Sequence, residues 1–317
     1  MSFASDARGE LSREKVEQPC CARAEMAAAL LFGGGVAYIG REKYRLRIVS
    51  PDAFVARHYF VLLKTFFGVT AELSTLKTDQ LRQTRYQVAP PDGDSAAILA
   101  ACGLLDPEAL FGVRAVPAEK ALPYACCRKA FLRGAFLLSG AVSDPERSYH
   151  LEFAAPNEEL ADFVIMLLNY FEISAKKTCR KAKFVVYLKG GEQIADALTL
   201  IGAKNAMMTL ENVRVKKDVR NRINRQLNCD ERNLARQIEN AQAQLADIEL
   251  IRRKIGLDRL PASLREMARV RAEHAEDPLA ALGEFCDPPI GKSGVNSRLR
   301  RLREIAASLR EGEETNI

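Results

Sequence analysis

The 317-residue sequence predicts an α+β fold, a pseudo-twofold pair of αβαββα repeats followed by an all-α domain. Three observations predict it. Cys20–Val36, CCARAEMAAALLFGGGV, is echoed by Cys126–Val142, CCRKAFLRGAFLLSGAV. The segments after each copy alternate helical and strand periodicity in the same order, and the last third of the chain carries helical patterning alone.

At a constant offset the copies match Cys20 to Cys126, Cys21 to Cys127, Arg23 to Lys129, Ala29 to Ala135, Leu31 to Leu137, Gly34 to Gly140 and Val36 to Val142. Further on, the stretch from Tyr44 to Asp52 echoes that from Tyr149 to Asn157, and Ala97–Gly103 echoes Asp196–Gly202. The repeat is therefore a whole domain of about 100 residues, near the usual size of a folding unit.

The first repeat opens with a polar helix over Ser5–Val16, capped by Ser5 or Asp6. The repeat helix Cys21–Phe32 follows, and Gly33-Gly-Gly is expected to end it through a left-handed conformation. In the strand Tyr44–Val49, Leu46 and Ile48 face inward while Arg45 and Arg47 share the exposed face. Pro51 and Asp52 start a helix through Phe67; strands Val69–Leu76 and Gln83–Ala89 and a helix Ser95–Cys102 complete the unit.

After a linker with Pro107, Pro117 and Pro123, the order recurs: helix Arg128–Leu138, strand Tyr149–Phe153, helix Glu158–Phe171, strands Ile173–Thr178 and Lys183–Leu188, helix Gln193–Ile201. Small residues at Ala24, Ala27 and Ala28, and at Ala130, Gly134 and Ala135, suit two helices pressed together at a pseudo-twofold.

Composition narrows the function classes. With 48% hydrophobic and 28% charged residues the chain can core two or three domains and has no disorder signature. The N-terminus lacks a signal-peptide pattern, and the longest apolar run, Met26–Ile39, is too short and glycine-broken to span a bilayer, so a cytoplasmic protein is expected. Eight cysteines, four of them in adjacent pairs, show neither a disulfide framework nor a C-x-x-C metal pattern and are read as reduced small hydrophobes. His58, His150 and His274 lie far apart, so neither a metal site nor a catalytic triad is expected, and no cofactor.

The net charge is +6 and the pI about 8.9, with the basic residues concentrated in two C-terminal clusters. The first, Arg214–Arg225, holds Arg214, Lys216, Lys217, Arg220, Arg222 and Arg225 against Asp218. Leu234, Ile238, Ala241, Leu245 and Ile248 then form one apolar stripe on a long helix, expected to pack between domains. A capping box at Ser263–Glu266 opens the next helix, with Leu264, Met267 and Val270 inward and an end near Glu276. A second helix begins at Asp277-Pro278 with Leu279, Leu282 and Phe285 inward, and Ser293 is expected to cap a third. Three short helices broken in this way suggest a helix-turn-helix.

On the third helix Val295, Leu299, Leu302, Ala306 and Leu309 form the inward stripe, so Ser293, Asn296, Ser297, Arg300 and Arg301 project to the other side. Asn pairs bidentately with adenine and Arg with guanine, while Lys292 and Arg303 are placed for flanking phosphates. Arg45, Arg47, Lys176, Lys183, Lys216, Lys217 and Arg220 are candidate secondary DNA contacts.

Phe131–Gly140, FLRGAFLLSG, resembles the LAGLIDADG helix of homing endonucleases, with Gly134 and Gly140 in the expected glycine places. That resemblance implies a central helix pair and two sheets forming a DNA-facing saddle. The motif's last acid, which holds the catalytic metal in the nucleases, is Ser139 here and Gly33 in the first copy, and neither replaces a carboxylate. Asp144 lies too far along the chain to restore the site.

Together with Asn228–Ile251 and with GKSGVNSRLRRLREIA at Gly291–Ala306, this degenerate pair resembles the WhiA family of bacterial regulators over nearly the whole chain. The resemblance implies a non-catalytic DNA-binding protein, tied to cell division and chromosome segregation and, in actinobacterial relatives, to sporulation. Double-stranded DNA is the expected partner, other transcription factors or RNA polymerase are further candidates, and the nucleoid is the expected location. Rival readings are an endonuclease with displaced metal ligands and a protein-docking scaffold. The expected divisions are repeat one over 1–105, a linker over 106–123, repeat two over 124–215, a helical linker over 216–258 and the helix-turn-helix over 259–317.

Overall fold

The computed structural model describes residues 2–40, 43–78, 83–106, 108, 110–180 and 183–311. The chain forms two compact units, Met1–Lys217 and Asp218–Ile317. In the first, α1 (Phe3–Leu11) and α2 (Pro19–Phe32) lead into β1 (Gly34–Gly40), β2 (Lys43–Ser50), α3 (Ala53–Phe66), β3 (Glu72–Thr78), β4 (Gln83–Ala89) and α4 (Asp92–Ala101). The second repeat follows as α5 (Ala125–Ser139), β5 (Gly140–Val142), β6 (Leu151–Ala155), α6 (Glu158–Tyr170), β7 (Lys176–Arg180), β8 (Lys183–Leu188) and α7 (Gly191–Ile201). Each repeat folds into an antiparallel four-stranded sheet, with order β1-β2-β4-β3 in one and β5-β6-β8-β7 in the other.

The α+β class stands, with one strand more per repeat than the periodicity predicts. The extra strands, β1 and β5, begin directly at the glycines that close α2 and α5. Gly33 ends its helix without turning left-handed: its φ is −118°. Glycine is required here for space, because a Cβ on Gly34 would lie 2.5 Å from the Leu30 carbonyl oxygen. The first helix is also displaced from Ser5–Val16 to Phe3–Leu11, since Ser2 supplies the cap by accepting from the Ser5 amide.

The helix pair is the centre of this unit. Ala24, Ala27, Ala28, Ala130 and Ala135 are all buried, and a Cβ on Gly134 would stand 2.6 Å from the Glu25 carbonyl oxygen. Adding that carbon forces the helices apart, at a cost of about 1–3 kcal/mol. Phe131, Phe136 and Phe153 fill the space between helix pair and sheet, each burial worth about 1.5–3 kcal/mol.

A buried ionic network ties the two repeats together. Glu25 on α2 is 0% exposed and receives Arg133 Nε of α5 at 3.0 Å and His58 Nε2 of α3 at 2.5 Å. Burial pushes the Glu25 carboxyl up, but the hydrogen bond and charge of His58 with the charge of Arg133 more than offset it and hold the group below its ordinary range. His58 also meets the Ser12 carbonyl at 3.0 Å, so it serves the core.

The helix pair also brings four of the cysteines together. All eight are free thiols, yet Cys20, Cys21, Cys126 and Cys127 gather their sulfurs within 4.8 Å of one another. Sequence spacing hides this, because the pseudo-twofold joins two pairs that lie far apart along the chain.

Candidate nucleic-acid interface

The 51-residue helix α8 (Lys204–Lys254) buries Ala206 and Leu210 in the first unit's core and Ile248 and Ile251 in the second's. The stripe predicted to pack along it does so only at its end: Leu234 and Ile238 remain 58% and 49% exposed. In the second unit, α9 (Ala262–Glu273), α10 (Leu279–Glu284) and α11 (Lys292–Glu311) close around Leu264, Met267, Val270, Leu282, Leu299 and Leu302.

Polar clamps hold the connections between these helices. Arg271, nearly fully buried, donates to the Asp277 and Ala275 carbonyls at 2.8 and 2.9 Å and so fixes the turn after α9. Glu266 accepts from the Asp287 amide at 2.7 Å and from Arg298 at 2.8 Å, which ties α9 to the next connection and to α11. It makes no capping box, because Pro261 occupies the N-cap and Ser263 already lies inside α9. Ser293 likewise sits within α11, whose first turn closes on the Gly291 carbonyl. Phe285 does not turn inward; it is 50% exposed and stacks on His274 with ring centroids 3.8 Å apart. Cys286 takes the inward place, since α10 stops after only six residues.

Helix α11 has two distinct sides. Val295, Leu299, Leu302, Ile305 and Ala306 are buried, and opposite them Lys292, Ser293, Asn296, Ser297, Arg300, Arg301 and Arg303 are all exposed. Glu304 is the acid on this side, 3.0 Å from Arg301 and 3.8 Å from Arg300. Such surface pairs are weak, about 0–1 kcal/mol, so an approaching polyanion can take over both guanidinium groups. A shallow cleft lined by Pro261, Ser263, Ser297, Arg300 and Arg301 adjoins them.

The secondary candidates are placed less uniformly. Arg45 and Arg47 lie on the outward face of β2, where Asp92 binds Arg45 through two hydrogen bonds of 2.8 and 3.2 Å. In repeat two Glu152 holds the corresponding face and pairs with His150 at 2.9 Å. Lys176 and Lys183 are exposed on that same face, by strand register. Lys216 and Arg220 are exposed on α8, but Lys217 is spent on the Pro145 and Glu146 carbonyls, at 2.6 and 2.9 Å. The register adds two residues that sequence reasoning missed, Arg85 on the sheet face that carries Arg47 and Arg180 opposite Lys183. Strand parity with Gln87 and Lys176 was the available signal.

At the C-terminal ends of α2 and α5, Ser139 Oγ donates back to the Ala135 carbonyl at 3.0 Å, and Gly33 offers no side chain. Arg8 donates to the adjacent Gly140 carbonyl at 3.1 Å and to Asp52 at 2.6 Å, so an ion pair stands beside these positions. Asp144 accepts from the Glu146 amide within its own turn. No helix among the described residues is long and apolar enough to cross a membrane.

Comparison with known proteins gives three family matches along the chain. Residues 19–105 match the WhiA N-terminal LAGLIDADG-like domain, residues 128–220 the WhiA LAGLIDADG-like domain and residues 223–306 the WhiA C-terminal HTH domain. The probable cell division protein WhiA of Alkaliphilus metalliredigens is 39% identical, over 96% of this chain and 98% of its own length. Its counterpart in Desulforamulus reducens is also 39% identical, over 99% and 98%. The crystal structure of full-length DUF199/WhiA from Thermatoga maritima shares the fold, with a TM-score of 0.60 at 22% identity over 97% of this chain and 98% of that one. Matched over 96% and 99% of its length by these relatives, and over most of it by the family's own domains, the chain belongs to the WhiA family.

Proposed function

We propose that the protein is a non-catalytic DNA-binding regulator that reads duplex DNA with α11. Asn296, Arg300 and Arg301 read base edges, Lys292 and Arg303 hold flanking phosphates, and Ser293 and Ser297 hydrogen-bond to either. The observation that carries this reading is the sidedness of α11: a buried apolar back fixes the helix while an exposed polar and basic front stays free for a major groove. Residues 259–317 are the reading domain in this account, and 1–105 and 124–215 the paired repeats. The names of its relatives support a role in cell division; transcriptional control, chromosome segregation, a place at the nucleoid and, in sporulating relatives, sporulation are the processes we assign with it. Other transcription factors or RNA polymerase are the protein partners such a regulator needs.

The sheet faces serve in this account as a second, sequence-blind DNA surface, through Arg45, Arg47, Lys176, Lys183, Arg85 and Arg180. Endonuclease activity is disfavoured, because Gly33 and Ser139 carry no metal-binding carboxylate. The test is binding of short duplexes by fluorescence anisotropy as salt is raised. Base readout keeps a sequence preference while overall affinity falls with salt; a preference that vanishes along with the affinity contradicts it.

A further inference from the structure

The cysteine quartet lies outside the DNA-reading surface, and nothing in that function uses it. Cys20 and Cys21 sit in the first turn of α2, directly after Pro19. Cys126 and Cys127 sit in the first turn of α5, directly after Ala125. Two helix N-termini therefore converge on four sulfurs, all within 4.8 Å of one another. Four thiols packed this closely are unusual for small core residues, the more so as Cys126 is exposed and Cys20 partly so while Cys21 and Cys127 are buried.

We propose that these four residues form a structural four-thiolate site for a single soft divalent cation, Zn²⁺. Tetrahedral zinc thiolate has Zn–S bonds of about 2.3 Å, which separates its sulfurs by roughly 3.8 Å. The four sulfurs, all within 4.8 Å of one another, lie near that separation. Iron–sulfur clusters fit less well, because their inorganic sulfides and additional irons hold the thiolates farther apart than one ion does. Carboxylate-seeking cations are excluded by the all-sulfur donor set.

Burial and the neighbouring sulfurs push the Cys21 and Cys127 thiols up, so the charge of the ion itself is needed to hold them as thiolates. The positive ends of the two helix dipoles meet there and stabilise thiolate. The exposed sulfur gives the ion a path from solvent, and the buried pair closes the base of the site. On binding, four S–H bonds are replaced by four Zn–S bonds, four protons leave to the buffer, and no atom changes oxidation state. The bound ion joins α2 to α5 at the end of the pair opposite Gly33 and Ser139, and so pins the two repeats together.

The test uses the full chain, reduced and stripped of metal, with Zn²⁺ and Co²⁺ as probes. We expect one metal per chain, a sulfur-to-cobalt charge-transfer band with tetrahedral d–d absorption, and a rise in Tm on Zn²⁺ addition. Cys20→Ser and Cys126→Ser should lose the charge-transfer band and the rise in Tm, whereas the remote exposed Cys179→Ser should keep both. Because Cys126 is exposed, its variant is expected to fold, and far-UV circular dichroism checks that it does. The proposal is overturned if a fully reduced chain takes up no metal, if uptake is unchanged in Cys20→Ser and Cys126→Ser, or if four of the eight thiols become titratable only with a reductant, which would make the quartet a pair of disulfides.

Discussion

The outward faces of the two sheets and the outward face of α11 carry the same kinds of basic side chain but deploy them differently. On the sheets, cations alternate with acids: Asp92 holds Arg45 by two hydrogen bonds, and Glu152 stands where repeat one has Arg47. On α11 the acid is Glu304, shared between Arg300 and Arg301, and among the described residues Lys292 and Arg303 make no ion pair. The count of basic residues does not distinguish the two surfaces. What does is the amount of charge left uncompensated, and whether a buried back fixes the direction of each side chain. In the proposed reading this difference gives backbone attraction to the sheets and base readout to α11.

Buried charge is the third term of this comparison, and changing it should have the largest effect. Glu25→Gln removes the anion between Arg133 and His58 and should cost about 3–5 kcal/mol, measured by urea unfolding. The Glu25 carboxyl is held below its ordinary range, so its stabilisation is present above the unfolded value of about 4.3 and is lost as pH falls through the lower folded value. The stability gap between wild type and Glu25→Gln should therefore narrow in acid. A gap independent of pH would mean that the network is held by packing alone.

Next in size is the apolar back of α11. Leu302→Ala should cost the C-terminal unit about 2–5 kcal/mol and abolish DNA binding with it. Retention of binding by such a variant would place readout on the sheets. Asn296→Ala and Arg300→Ala should each cost about 1–3 kcal/mol of binding and relax the sequence preference, whereas Lys292→Ala weakens all duplexes alike. Competition anisotropy with matched and mismatched duplexes separates these outcomes.

The smallest change is also the most diagnostic for the sheets. Asp92→Ala releases the solvent-exposed Arg45 with little effect on stability and should strengthen sequence-blind binding at low salt. No change in low-salt affinity would remove the sheet of repeat one from the DNA interface.

Some of this was legible in the sequence, for identifiable reasons. The paired helices were, because tight packing leaves a string of small residues that both copies keep. The front and back of α11 were also, because a helix of twenty residues gives its 3.6-residue period enough turns to be read. The edge strands β1 and β5 were not: glycine-rich Gly34–Gly40 has poor strand propensity, and Gly140–Val142 is too short for alternation to register. Phe285 was misplaced because a six-residue helix ends before its periodicity is established. The sulfur quartet and the Glu25 network were invisible for another reason. Each needs a partner across the pseudo-twofold, Arg133 for Glu25 and Cys126 with Cys127 for the first cysteine pair, about 100 positions along the chain and beyond any spacing rule.

The most direct test of the central claim is selection from random duplex DNA at physiological salt, by the wild-type chain and by the chain carrying Asn296→Ala and Arg300→Ala. The account predicts that the wild type enriches one motif and that the variant loses it while still retaining DNA at low salt. Enrichment of the same motif by both chains would contradict it, and would move base readout from α11 to the paired repeats.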